Sequence, residues 1–232
     1  MFWVVNTKGL SIRFDFYKIM IKHVPLKHGW YYFYRIHEKK RDLLLEDLSN
    51  LKEYLNFVSV SCPNEYFMAG PRSSSLTFKL NNTKIVEVTG HEVSNLAREA
   101  LVGSSKKEAH TKVELFLLEK DQNTVAVEVP IWIKKEELED FYSLFKSDLP
   151  LTGHIDILRV EDGKVWIWDF KPKAKEEKYA QTQLFFYALM LSKRTDIPLD
   201  HFRCGYFDPE IAYIFKPHIS AISKNKTISS FI

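Results

Sequence analysis

Along this chain the hydrophobic pattern is irregular for the first ~90 residues and becomes regular after Gly90. In the early part, Trp30 to Arg35 (WYYFYR) reads as a strand. Glu38 to Phe57 reads as a helix, from the spacing of its leucines. The stretch SCPNEYFMAGPRSSS is loop chemistry, and Leu76 to Val88 reads as a hairpin turning at Asn81-Asn82. From Glu92 to Leu118 the spacing predicts a helix, broken near Gly103-Ser104-Ser105. Thr124 to Ile133 (TVAVEVPIWI) is rich in β-branched residues and predicts a strand. A short helix is expected over Lys135 to Phe145, then strands over Leu151–Val160 and Lys164–Phe170. A long helix over Lys175 to Ser192 carries Leu184, Tyr187, Ala188 and Leu191 on its apolar side, and strands follow at Phe202–Phe207 and Ile211–Phe215. That order predicts an α/β fold with a mixed central sheet flanked by helices. It divides the chain into an N-terminal accessory region, 1–90, a core, 91–217, and a tail, 218–232.

The sharpest local signal is Asp162-Gly163 between two apolar runs, because a type I′ turn needs positive φ at both central residues. Counting outward from that turn pairs Glu161 with Lys164 and ends with Asp156 facing Asp169. The alternation of pair types makes this a non-hydrogen-bonded pair, with Cα atoms roughly 4.5 Å apart. Lys171 lies two residues further on, so its side chain emerges on the same face. Leu158, Val160, Val165 and Ile167 share that face, while Ile155, Ile157, Trp166, Trp168 and Phe170 occupy the other. A hairpin apolar on both sides belongs inside a sheet covered on both sides. Two facing carboxylates destabilise such a strand pair, which leaves two solutions: Lys171 neutralises one of them, or a divalent cation such as Mg²⁺ is held between them.

Composition adds little by itself. Of 232 residues, 45% are hydrophobic and 27% charged, enough for a core, and the net charge of +3 is too small to mark a nucleic-acid binder. The local distribution says more, since Lys164, Lys171, Lys173, Lys175 and Lys178 crowd around the second strand and the turn beyond it. Two cysteines, Cys62 and Cys204, cannot alone build a zinc or iron–sulfur site, and an intracellular, cytoplasmic setting is expected. No apolar run has the length of a membrane span, and MFWVVNTKGLSIRF does not read as a signal peptide. Two further pairs share helix faces: His110 with Glu114, and Gln183 with Tyr187, the glutamine interrupting an apolar stripe (QLFFYALML).

Taken together, Gly153-His154-Ile155-Asp156, Trp168-Asp169-Phe170-Lys171 and Gln183-Leu184-Phe185-Phe186-Tyr187 resemble the GxxD … DxK … QLxxY signature of the PD-(D/E)XK nuclease superfamily. The RecB-type exonuclease branch is the most similar, and His110-Thr111-Lys112-Val113-Glu114 resembles its upstream HxxxE helix. The resemblance spans roughly Val93 to Pro217. It implies a restriction-endonuclease-like αβββαβ core and a Mg²⁺ or Mn²⁺ ion held by His110, Asp156, Asp169 and the carbonyl of Phe170, with Glu114 as a further candidate ligand. Lys171 is then expected to position or activate the attacking water, with Gln183 and Tyr187 supporting the site or touching the nucleic-acid backbone. Glu128 matches an acidic position often seen on the preceding strand. The chain departs from the branch in a longer Gly103-to-His110 spacing, and it lacks the four cysteines of the CRISPR-associated members, so no iron–sulfur cluster is expected.

These readings converge on a metal-dependent hydrolase of phosphodiester bonds, in DNA before RNA. Lys173, Lys175 and Lys178 would track phosphates beside the site, and a homodimer is compatible with the pattern. A second reading stays open on the sequence: a catalytically inactive nuclease fold that binds nucleic acid or a partner protein.

Overall fold

The computed structural model describes residues 20–222 apart from 30, 82, 104, 106 and 107, so the readings placed on the first residues, on Trp30, Asn82 and Ser104, and on most of the tail lie outside it. One eight-stranded sheet organises the chain. In chain order its strands are β1 (Ile21–Lys27), β2 (Tyr31–His37), β3 (Val86–Thr89), β4 (Thr124–Ile133), β5 (Leu151–Glu161), β6 (Lys164–Phe170), β7 (Phe202–Phe207) and β8 (Ile211–Phe215). Across the sheet they run β1-β2-β4-β5-β6-β7-β8-β3. Only β6 and β7 are parallel, and every other neighbouring pair is antiparallel. The helices are α1 (Glu38–Leu44), α2 (Ser49–Ser61), α3 (Glu92–Ala100), α4 (Ala109–Lys120), α5 (Phe141–Phe145) and α6 (Ala180–Thr195), the last forming the crossover between the parallel strands.

Both faces of the sheet are covered. Leu158, Val160, Val165 and Ile167 pack with α6 and with Leu51, Tyr54, Leu55 and Val58 of α2, whose i, i+3, i+4, i+7 spacing makes a single apolar stripe. Ile157, Trp168 and Phe170 pack on the other side with Val93 and Ala97 of α3 and Val113, Leu117 and Leu118 of α4. The alternation read from the hairpin thus separates two layers, except that Ile155 joins the first. Residues before 90 extend the same sheet: the β1–β2 hairpin continues it beyond β4. Several element readings need correction. Among the described residues of Leu76 to Val88 no hairpin is formed; the strand there is Val86–Thr89, and it pairs with β8. The helix expected over Glu38 to Phe57 is two, because the chain turns around the fully buried Leu45. The helix over Lys135 to Phe145 shrinks to a 3₁₀ turn, Lys135–Glu137, followed by α5. The helix expected from Lys175 begins at Ala180, since Ala174–Glu176 is a 3₁₀ turn whose Ala174 N–H is taken by Asp208 at 3.0 Å.

Two polar devices fix α4. Lys40 Nζ donates to the carbonyls of Leu118 and Asp121 at 2.5 and 2.6 Å, satisfying the orphan acceptors of the helix C-terminus. Arg159, fully buried on β5, bonds Asp121 just past that end at 2.7 Å and Glu92 of α3 at 2.7 Å. A buried guanidinium needs such partners, and together they hold α4 against the sheet, with His110 of its first turn beside Asp156 in the middle of β5.

Candidate active site

The β5–β6 hairpin turns as the sequence requires, with Asp162 and Gly163 at φ +50° and +67°. The register runs from Glu161↔Lys164 to Ile157↔Trp168, so Asp156 and Asp169 follow as the next opposed pair. Both are buried, at 7% and 1% exposure, and Lys171 Nζ sits 2.8 Å from Asp169 Oδ2. Gln183, from the first turns of α6, ties the group together. Its amide nitrogen donates to Asp169 Oδ1 (3.3 Å) and to the Tyr187 hydroxyl (2.9 Å), while its carbonyl accepts from Lys171 Nζ (3.3 Å). The glutamine in the apolar stripe is thereby accounted for: from Thr182 to Leu191 the helix is buried, and Gln183 is the position there that faces the charged pair. Gly153 is needed for a different reason, because a Cβ there would lie 2.4 Å from Tyr187 Cε1. The glycine lets the tyrosine ring lie directly on the strand.

From the other direction, α4 brings His110 and Glu114. His110 Nε2 lies 3.0 Å from Asp156 Oδ2 and 3.1 Å from Glu114 Oε1, and the donor atoms of these three residues all fall within 4.8 Å of one another. Glu128 completes the acidic set. It occupies the β4 position between Val127↔Ile157 and Val129↔Ile155, opposite Asp156, in left-handed backbone at φ +53°. For a non-glycine residue this conformation costs on the order of 1–3 kcal/mol and persists where the surroundings enforce it. Pairing of β2 with β4 ends at the residue before it, Val127, so the sheet opens beside the carboxylates. His110, Glu128, Asp156, Asp169, Lys171, Gln183 and Tyr187 line a cavity of about 160 Å³, with Gly153, His154, Tyr32, Arg72 and Ser74 on its walls. Tyr32, Arg72 and His154 carry no signal in the sequence that marks them for a site. Lys173, Lys175 and Lys178 are exposed on the turn after β6, outside the cavity, and Lys173 pairs with Glu176 at 3.1 Å.

Electrostatically the site is short of positive charge. If every group ionised, the four carboxylates Glu114, Glu128, Asp156 and Asp169 would crowd together, with Lys171 and His110 the cations that touch them and Arg72 on the cavity wall. Protons make up the difference. Burial, then the charge of Asp156, pushes the Asp169 carboxyl well above its usual range; burial, with Glu114 and Asp156 nearby, lifts Glu128 to about 9. Burial likewise raises Glu114. Asp156 goes the other way: burial opposes its charge, but His110, a hydrogen bond from Asp169 and Lys171 hold it low. Burial disfavours charge on His110, yet Asp156 and Glu114 outweigh it and raise its pKa to about 11. Lys171 is disfavoured by burial and held protonated by Asp169 and Asp156. Glu114 Oε1, Asp156 Oδ2 and Asp169 Oδ2 are buried with no hydrogen-bond partner of good geometry; their contacts are ionic. Imidazole nitrogen and carboxylate oxygens around such orphaned acceptors fit a divalent cation.

A profile of the PD-(D/E)XK nuclease superfamily matches residues 79–225, more than half of the chain. The mixed sheet, with the acidic pair on its central hairpin, is consistent with a core of that family, and the protein belongs to this superfamily. No curated protein and no solved structure gives a match. Among the described residues no helix is long and apolar enough to cross a membrane.

Proposed function

We propose that the protein is a Mg²⁺- or Mn²⁺-dependent nuclease that hydrolyses phosphodiester bonds in DNA, related to the RecB-type exonucleases. The convergence of His110, Glu114 and Asp156 beside an Asp169–Lys171 pair clamped by Gln183 carries the reading. His110, Asp156, Asp169 and the Phe170 carbonyl would hold the ion, with Glu114 next to them. Bound there, a divalent cation supplies Lewis-acid stabilisation of phosphoryl charge and orients a water. Lys171, whose ammonium Asp169 and Asp156 favour, would position the attacking water and donate toward negative charge developing on the phosphate. Gln183 fixes where that ammonium points, and Tyr187 fixes Gln183. Lys173, Lys175 and Lys178, exposed on the turn after β6, would contribute salt-dependent affinity for the phosphate backbone.

The test is incubation with circular and linear, single- and double-stranded DNA in Mn²⁺ or Mg²⁺. Cleavage by the wild type is expected, lost in Asp169→Ala and reduced on the order of 10²-fold in Lys171→Ala. A metal-stabilised wild type that binds DNA and cleaves none of these substrates would establish the inactive, binding-only reading instead.

A further inference from the structure

One cation in the cavity has no counterpart in the site as built so far. Arg72 lies outside the segment matched by the superfamily profile, on the loop between α2 and β3, yet it lines the same cavity as Asp156, Asp169 and Lys171. Its placement is over-determined. Arg72 bridges to Thr152 of β5, the Thr152 N–H donates to the Pro71 carbonyl at 3.1 Å, and Ser73 Oγ donates to the Thr152 carbonyl at 3.1 Å. Gly70, at φ +95°, packs where a Cβ would meet Leu149 Cβ at 2.9 Å. The loop is therefore stitched to the strand that carries Gly153 and Asp156.

The guanidinium is held but not neutralised. Nη2 donates to the carbonyls of His28 (2.7 Å) and Phe67 (3.2 Å), and among the described residues no carboxylate forms an ion pair with it. Its carbon stands 6.0 Å from the centre of the Tyr32 ring, which stacks on His154 at 4.0 Å. Carbonyl dipoles orient a guanidinium without cancelling its charge, which leaves the rest of its fork for an anion. Glu128, Asp156 and Asp169 line the same cavity, and Glu114 stands with His110 and Asp156 at the candidate metal position. A phosphodiester strand suits this polarity: one phosphate at the metal end, and a neighbouring phosphate against the arginine.

Resting on the nuclease reading above, we infer that Arg72 is a substrate-binding residue that grips a second phosphate of the nucleic-acid strand, next to the one being cleaved. The region before residue 79 then supplies part of the substrate grip that the superfamily core lacks.

The experiment is fluorescence anisotropy of a labelled single-stranded oligodeoxynucleotide with the full chain in Mn²⁺, in the Lys171→Ala background to slow cleavage, repeated over a salt series. Arg72→Gln should weaken binding roughly tenfold or more, and flatten the slope of log K against log salt by about 0.7, the loss of one phosphate contact. Arg72→Lys should keep the slope while losing part of the affinity, since only the bidentate geometry goes. Ser74→Asp places a carboxylate at an exposed wall position beside Arg72 without touching its carbonyl bonds, so it should weaken binding even if Arg72→Gln fails to fold. Wild-type affinity and slope in Arg72→Gln and Ser74→Asp, with Mn²⁺ still raising the melting temperature, would overturn the inference and leave Arg72 as a loop tether. A wild type with no metal response and no DNA affinity would remove the nuclease reading and this one with it.

Discussion

Gly153→Ala is the most direct probe of how the site is built. The added methyl would stand 2.4 Å from Tyr187 Cε1 and 3.2 Å from Cδ1 and Cζ, closer than carbon atoms approach. The ring cannot swing away easily: Tyr187 is 3% exposed, sits on a helix buried along most of its length, and its hydroxyl is bonded to Gln183. Forcing one methyl into such packing costs about 1–3 kcal/mol. In a chain of this size that lowers the melting temperature by roughly 2–4 °C per kcal/mol. Displacing Tyr187 also moves Gln183, and with it the groups that orient Asp169 and Lys171, so metal-dependent cleavage should fall more than stability does. Chemical denaturation and a cleavage assay measure the two effects. A double-mutant cycle isolates the cause. Tyr187→Ala alone opens a cavity costing about 3–5 kcal/mol; in that background Gly153→Ala should cost almost nothing, a coupling of about 1–3 kcal/mol. Additive effects of the two substitutions, or a Gly153→Ala protein as stable as wild type, would refute the steric argument.

Two other outcomes follow from the charged groups. Imidazole is a better ligand for Mn²⁺ than for Mg²⁺, so cleavage should be faster with Mn²⁺, and His110→Ala should lower activity and narrow the difference between the two metals in parallel assays. Near the cavity wall, His28 Nδ1 lies 2.7 Å from His154 Nε2, with His28 stacked on Phe67 at 3.8 Å. Burial lowers the pKa of His28 from 6.5 to about 4 and holds that of His154 well below its usual value, so between 6.5 and 4 the unfolded chain binds protons that the folded chain refuses. Stability should therefore decline as pH falls from about 6.5 toward 4, by on the order of 2 kcal/mol for His28 after allowance for screening. Urea midpoints of His28→Asn should fall less steeply over that window, and parallel curves would count against the burial argument.

Much of the core was legible because its determinants are local. The Asp-Gly turn sets the register of β5 and β6, and counting from it brings Asp156 and Asp169 together with no tertiary information. The break between α3 and α4 follows from Gly103, which the structure holds at φ +69°. What escaped was non-local. β3 is a strand only because β8 offers an edge, and nothing in Leu76 to Val88 encodes that partner. The exposed Glu176-Glu177-Lys178 stretch lacks an apolar stripe, which is why the chain there forms a single 3₁₀ turn before α6. Arg72 and Tyr32 reach the cavity through a bridge to β5 and a ring stack on His154, relationships that exist only in the folded chain. The left-handed Glu128 was equally hidden, since glutamate has no preference for that backbone.

The pairing of β3 with β8 has a consequence for how the molecule forms. These two short strands lie on either side, in sequence, of the whole segment that carries His110, Asp156, Asp169, Lys171 and Gln183, yet they are neighbours in the sheet. β6 and β7 also meet only after α6 has crossed over between them. Such long-range pairings make loop closure the slow part of folding. On the ribosome the β1–β2 hairpin emerges well before β4, its partner in the sheet, leaving Tyr31 and Phe33, exposed even in the finished fold, beside an unpaired strand edge. A chain released before β8 is made would hold both aspartates but lack the strand that closes the sheet over β3. Completion of β7 and β8 thus decides whether a chain already carrying its full set of site residues becomes a folded protein or an aggregation-prone intermediate.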